Sequence, residues 1–289
     1  MKYGIIPPYR ASVVHDPQYM SAFAKHADRL GFESLFVVEH AVVAADYERK
    51  YPYNSSGEMA LAEDCNIPDP LDLLAYLAGI TSNIRLGTGI LVAPNHHPVP
   101  LAKRCATIDV LSGGRLHLGV GVGWMREELE ACGAAFETRG QRLNEIIEVM
   151  RKLWAPGAAS HAGDFFGFGP VNSYPKPVDH AIPIHIGGHS QAAARRAGRL
   201  GDGFHPLGLQ GDELTAALDL MKSEASKAGR DPDSLELTLG GSLAHFDEAA
   251  LAQVEAVGAD RVLVGSGTSD LAALSDEMSA FAEQFIKAG

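Results

Sequence analysis

Eight short runs, apolar almost throughout, recur along this chain, and each closes on glycine, proline or a polar residue. They are YGIIPP from Tyr3, SLFVVEH from Ser34, IRLGTGILVAP from Ile84, RLHLGVGVG from Arg115, IPIHIGG from Ile182, GDGFHP from Gly201, LELTLGG from Leu235 and RVLVGSG from Arg261. A strand with one face in water alternates apolar and polar residues, whereas a strand covered on both faces does not. Segments with helical period separate the runs: Tyr19 to Leu30, Pro70 to Thr81, Leu101 to Leu111, Arg139 to Trp154, Gln191 to Leu200, Asp212 to Ala228 and Asp247 to Val257, with Asp270 to Ala288 after the last. Eight strand–helix units in 289 residues predict an α/β fold, a (β/α)8 TIM barrel, as a single domain over residues 1–289.

Two connections are long for such units: Ala41 to Asp69, after the second strand, and Ala155 to Ala181, an insertion before the fifth. The first leaves the C-terminal end of a strand, where barrel enzymes carry their sites, so Tyr47, Tyr51, Tyr53 and Met59 are candidates to line a pocket. A plain surface excursion fits the length equally well.

The formal net charge is −12, with acids spread through the helices, and no clustered basic footprint of the kind phosphate backbones require is present. Nucleic acid is therefore not an expected partner. No apolar run approaches the roughly 20 residues of a membrane helix, and the N-terminal MKYGIIPPYR reads directly as a strand. Cys65, Cys105 and Cys132 fit neither CxxC nor zinc spacing and read as reduced thiols, so a cytoplasmic location without membrane contact is expected.

The run from Arg115 to Gly133, RLHLGVGVGWMREELEACG, places Gly119, Gly121 and Gly123 in alternation before Trp124. A dinucleotide fingerprint needs GxGxxG and an acid about 20 residues on, at the end of the next strand, and GxGxG followed by helix does not supply it. GxxxxGK[ST] and GxSxG are also absent. What remains is flat backbone at a strand end, for a ring system or for close packing of neighbouring strands. Gly187 and Gly188 lead through His189 and Ser190 into an alanine-rich helix, where unpaired amides and the positive helix end would converge on an anion. A tight turn alone also accounts for the pair; the barrel location favours the anion.

The block GILVAPNHHPVPLAKRCATIDVLSGGRLHLGVGVGWMREELEACGAAFETRGQRLNEIIEVMRKLW resembles the signature region of the bacterial luciferase-like flavin and deazaflavin oxidoreductases, particularly the branch that uses coenzyme F420. VVEH at Val37, PKPV at Pro175, IGG at Ile186 and GDGF at Gly201 extend the resemblance over nearly the whole chain. It implies the same barrel, with a deazaflavin or flavin ring at the C-terminal strand ends near Glu39, Thr88, Gly89, Ile90, Gly121, Gly123 and Trp124, and the phosphate at Gly187, Gly188 and His189. It also implies a cis peptide at Gly89–Ile90 and a homodimer. The cofactor it implies is coenzyme F420, with FMN and a luciferase-like monooxygenase reaction as the alternative.

The same resemblance makes His40 the acid–base residue, taking a substrate hydroxyl proton as hydride leaves for the cofactor, or running the reverse. Glu39 would orient the loop or His40. The sugar-phosphate and alcohol dehydrogenases of the F420 branch carry a carboxylate directly after the glycines of strand four, where this chain has Trp124, and that departure argues against a sugar-phosphate substrate. Glu127 and Glu128 follow, where acidic charge suits a helix N-terminus. His185, His189 and His205 with Glu39 or His40 would suit a metal-dependent barrel hydrolase, but that class needs HxH on the first strand and YGIIPP has none, so no metal is expected. His96 and His97 read as loop elements. A cofactor-binding barrel without chemistry also remains open.

Overall fold

The outward side chains of the strands form one apolar belt under the helices. A computed structural model describes residues 1–52 and 56–287, and Tyr53 and Ala288 lie outside the described residues. The barrel strands are β1 (Lys2–Ile6), β2 (Ser34–Val37), β3 (Arg85–Thr88), β5 (Leu116–Gly121), β8 (Ile184–Gly187), β9 (Gly203–His205), β10 (Glu236–Ser242) and β11 (Arg261–Gly265). They run parallel in the order β3-β2-β1-β11-β10-β9-β8-β5, and β3 pairs again with β5, which closes the sheet into the eight-stranded barrel. Register sets Leu86 beside Leu116, Leu118 beside Ile184 and Ile186 beside Phe204, all buried. Each such side chain contributes about 1.5–3 kcal/mol by leaving water.

All eight expected runs are strands, with one division. The third run breaks after β3, turns through Gly89–Ile90, whose peptide is cis as the resemblance implies, and resumes as β4 (Leu91–Val92), which pairs with β5. The helices are α1 (Pro17–Leu30), α2 (Pro70–Ala78), α3 (Pro98–Ser112), α4 (Arg126–Ala131), α5 (Arg139–Trp154), α6 (Gln191–Leu200), α7 (Gly211–Lys227), α8 (Glu248–Ala256) and α9 (Leu271–Phe281). Prolines 17, 70 and 98 open three of them one turn or less ahead of the apolar pattern. Side chains of Asp16, Asp69, Ser190, Asp247 and Asp270 accept first-turn amides, each cap adding about 1 kcal/mol. The insertion before the fifth barrel strand carries an antiparallel hairpin, β6 (Ala159–Ala162) and β7 (Gly167–Val171), tied to α5 where Glu145 accepts the Phe165 and Phe166 amides and meets His161.

The barrel interior is polar at its N-terminal end. Arg261, 1% exposed, donates through Nε and Nη2 to the two oxygens of Glu33 and through Nη1 to Glu236 and Thr238. Above it the Phe36 and His117 rings meet at 5.4 Å and the His117 and His185 rings at 4.0 Å. Gly87 and Gly203 leave the room for Phe36 and His185, since a Cβ there would come within 2.9 and 2.5 Å of those rings. No helix among the described residues is long and apolar enough to cross a membrane.

Candidate active site

The C-terminal mouth of the barrel collects side chains from β2, the β4 turn, α4 and the 41–69 loop. Glu39 and His40 follow β2 directly. Glu39 is buried, accepts the Val92 amide at Oε2, and meets His96 Nε2 at 2.6 Å through Oε1. It therefore anchors the β4 turn and His96, not His40. His96, expected to be a mere loop element, is an imidazole held by a carboxylate at the mouth.

His40 has a different partner. Its Nδ1 stands 3.0 Å from Oε2 of Glu128, while Oε1 of Glu128 accepts the Ala41 amide at 2.7 Å. Glu128 is 1% exposed. The expected role of Glu128 as a favourable charge on a helix end is thus corrected: α4 turns it inward, onto the chain after β2. Glu127, its neighbour, accepts the Glu48 amide at 3.1 Å and ties the 41–69 loop to α4.

The glycines turn out to serve a side chain as much as open space. A Cβ on Gly119 would meet the Thr88 carbonyl oxygen at 2.1 Å, so at that position close strand packing is the reason for glycine. A Cβ on Gly121 would lie 2.3 Å from Ile90 Cδ1, and one on Gly187 2.4 Å from Ile90 Cγ2. Ile90 therefore lies across the strand ends in the room these two glycines leave. Thr88 is buried and donates its hydroxyl to the Gly119 carbonyl at 2.7 Å, and the Gly89 amide donates to Val37. Gly123 has φ of 77°, a conformation that leads the chain sharply into Trp124.

Trp124 is the aromatic centre of the mouth. The Tyr51, Tyr47 and His40 rings stand edge-on to it at centroid distances of 5.2, 5.4 and 6.2 Å. The 41–69 loop is thereby a wall over the strand ends, with the Tyr47 hydroxyl accepting the Met59 amide. A small cavity beside Trp124 is lined by Glu48, Lys50, Arg126, Glu127 and Phe136, and both of its cations are held by carboxylates, Lys50 by Glu48 and Arg126 by Glu130 and Glu137.

At the Gly-Gly turn the Gly188 amide donates to the His205 carbonyl at 3.1 Å, so the unpaired amides expected there lie further along the chain. Gly188 has φ of 132°, and a Cβ there would press on Ala193 at 3.1 Å. Ser190 caps α6 through its side chain, so the donors left for an anion are the first-turn amides beyond it, at Gln191 and Ala192.

No group of three or more metal-binding side chains occurs among the described residues. His117, His185 and His205 lie inside the barrel, and each carries one ring nitrogen without a partner among the described residues. Burial lowers all three, with positive charge at Arg261 acting in the same direction: His185 falls to about 3 and His205 to about 4, while His117, also beside His185, falls well below its ordinary value. Sequence reasoning missed Asn95, whose Nδ2 lies 3.3 Å from Glu128 and whose Oδ1 is a buried acceptor with no partner among the described residues. No spacing signal marks it.

A closed parallel barrel with carboxylate-held imidazoles at its C-terminal mouth has the plan of a barrel enzyme acting on small molecules. The chain belongs to the luciferase-like monooxygenase family, whose model matches residues 1–285. An uncharacterised protein of Mycobacterium tuberculosis is 37% identical over 169 residues, which are 58% of this chain and 59% of that protein's length. An F420-dependent glucose-6-phosphate dehydrogenase of Segniliparus rotundus is 30% identical over 84% of this chain and 70% of its own. Among solved structures, monooxygenase RslO1 from Streptomyces bottropensis superposes with a TM-score of 0.79 at 23% identity, covering 100% of this chain and 99% of that one. An F420-dependent secondary alcohol dehydrogenase superposes with a TM-score of 0.76 at 17% identity, covering 98% of this chain and 97% of that one. The likeness to both structures is one of fold.

Proposed function

We propose that this chain is an oxidoreductase that transfers hydride between coenzyme F420 and a small organic substrate, with His40 as the acid–base residue. The observation that carries this reading is the 30% identity, sustained over 84% of the chain, with an enzyme that uses F420. The residues at the mouth fit such a group. The Asn95 Oδ1 is a buried acceptor without a partner among the described residues, of the kind the imide N–H of a flavin or deazaflavin ring needs. The α6 N-terminus follows a glycine where a side chain would press on Ala193, so backbone can approach a phosphate closely. Ile90, Gly121, Gly123 and Trp124 would bound the ring; Gly187, Gly188, His189 and the first turn of α6 would hold the phosphate; Glu39 and Thr88 would support that surface from behind.

Coenzyme F420, when bound, supplies a carbon centre that accepts or returns a hydride, and the matching proton is left to the protein. His40 takes up the substrate's hydroxyl proton as a C=O bond forms, or gives it back in the reverse direction. The Tyr47, Tyr51 and Trp124 wall excludes water from the same side. Because the cations beside Trp124 are already paired, an uncharged alcohol or carbonyl compound suits this mouth better than a sugar phosphate. The protein would work as one barrel domain, a cytoplasmic homodimer without metal.

The test is titration of the purified protein with F420 and with FMN, followed by anaerobic addition of alcohols, carbonyl compounds and sugar phosphates while the visible absorbance of the cofactor is followed. F420 binding with substrate-dependent bleaching is expected. Tight FMN binding, indifference to F420 and oxygen uptake with substrate would replace this reading with a monooxygenase.

A further inference from the structure

Glu128 carries three donors on two oxygens. The Ala41 amide and Asn95 Nδ2 reach Oε1 at 2.7 and 3.3 Å, and His40 Nδ1 reaches Oε2 at 3.0 Å. The Ala41 amide is a fixed donor, and a carboxylate accepts at both oxygens, so the hydrogen of the third contact belongs to His40 Nδ1. A neutral imidazole has one N–H, and the bond made by one ring nitrogen determines the state of the other. His40 Nε2 is thereby left with its lone pair. It has no partner among the described residues and is not sealed from solvent; the side chain is 11% exposed at the edge of Trp124.

We propose that Glu128 is a positioning residue: it fixes His40 in the Nδ1–H tautomer and so presents Nε2 as the proton acceptor at the mouth. The part concerning catalysis rests on the reading of His40 as the acid–base group, whereas the tautomer follows from the hydrogen bonds alone. Glutamine exposes the difference. It has one acceptor oxygen where glutamate has two, and turning its NH2 toward Ala41 sets donor against a backbone donor that cannot rotate. Glu128→Gln therefore keeps its oxygen on Ala41, offers N–H to His40 Nδ1, and drives the imidazole proton to Nε2. A catalytic histidine held in the wrong tautomer by such a substitution has lost about 10⁴-fold in kcat in a serine protease.

The first measurement is the pair of His40 ring-nitrogen shifts by long-range ¹H–¹⁵N correlation on ¹⁵N-histidine-labelled protein without cofactor, with the His40 signals assigned by their loss in His40→Asn. The wild type is expected to show protonated Nδ1 and bare Nε2, and Glu128→Gln the reverse. Protonated Nε2 in the wild type overturns the proposal without need of any variant, and so does an unchanged tautomer in a folded Glu128→Gln protein. The second measurement is turnover. Glu128→Gln is expected to lose about 10²–10⁴-fold in kcat while the cofactor Kd stays within about threefold, with little further loss when His40→Ala is added. A reversed tautomer with unchanged kcat upholds the positioning by Glu128 and overturns the acid–base role of His40, so the two failures are told apart.

Discussion

Lowering the pH from 7 to 5 should strip this fold of a large part of its stability, because the barrel interior holds histidines that the native state keeps neutral. His185 is depressed to about 3 and His205 to about 4, against 6.5 for the free side chain, chiefly by burial. Below 6.5 the unfolded chain takes up protons at these positions and the folded chain does not, so stability is complete above that pH and falls as the pH drops toward the folded values. Over this interval each residue forfeits about 2 kcal/mol, from 1.36 kcal/mol per pH unit over roughly 1.5 units. His185 and His205 together forfeit about 4 kcal/mol, against roughly 5–15 kcal/mol for a whole domain, and His117, lowered by burial, acts in the same direction. Glu33, lowered through Arg261, and Glu236, lowered through Lys2 and then Arg261, lose their contribution only below the ordinary carboxylate range, and Asp109, raised by burial, acts in the opposite sense. Urea unfolding at pH 7, 6 and 5 reads the effect, and His205→Gln should remove about 2 kcal/mol of the pH dependence even if it lowers stability at pH 7. Unfolding free energy that is level across this range, or a slope unaltered in His205→Gln, would refute the neutral-histidine interior.

Other substitutions test the packing and the site separately. Gly119→Ala sets a Cβ 2.1 Å from a backbone carbonyl, which cannot swing away, and should cost at least about 1–3 kcal/mol in thermal unfolding. Gly121→Ala meets chiefly Ile90 Cδ1, at 2.3 Å, so adding Ile90→Val should recover most of its loss; no recovery would mean that Ile90 is not what Gly121 accommodates. Arg261→Met leaves Glu33 with Arg85 at 3.6 Å as its remaining cation and should cost about 3 kcal/mol by urea unfolding. His40→Ala should leave cofactor affinity within a few fold while turnover falls about 10²–10⁴-fold, and equal loss of both would assign His40 to binding.

The barrel was legible because each strand is covered on both sides, and such strands write themselves as unbroken apolar runs ended by glycine or proline. The hairpin β6–β7 was not, since ASHA and GFGPV carry little apolar alternation and gain their order from Glu145 on α5. The polar floor was also hidden: His185 and His205 sit in apolar runs, and the depth that keeps them neutral is a property of the closed barrel. At the mouth, His40 and Glu39 were named from the family resemblance, but their partners were not. A carboxylate in the first turn of a helix reads as a dipole charge unless the helix is known to point it inward, as α4 does with Glu128.

That difficulty has a physical origin in how the mouth is assembled. Glu39 and His96 are 57 positions apart in the chain, Glu127 and Glu48 are 79 apart, and His40 and Glu128 are 88 apart. Each polar contact joins the loop side of β2 or the β4 turn to a segment that arrives only when the third and fourth strand–helix units have packed, and local sequence carries no trace of it. The histidine tautomer and the wall over Trp124 therefore depend on closure of this half of the barrel, because a frayed β3–β5 seam separates Glu39 from Val92 and His40 from Glu128 together. Function at this mouth should accordingly be lost in one step with the fold rather than ahead of it: cofactor binding and the near-ultraviolet signal of Trp124 are expected to vanish at the same urea concentration. A site that emptied well before Trp124 lost its packing would show that the mouth holds its shape independently of the seam.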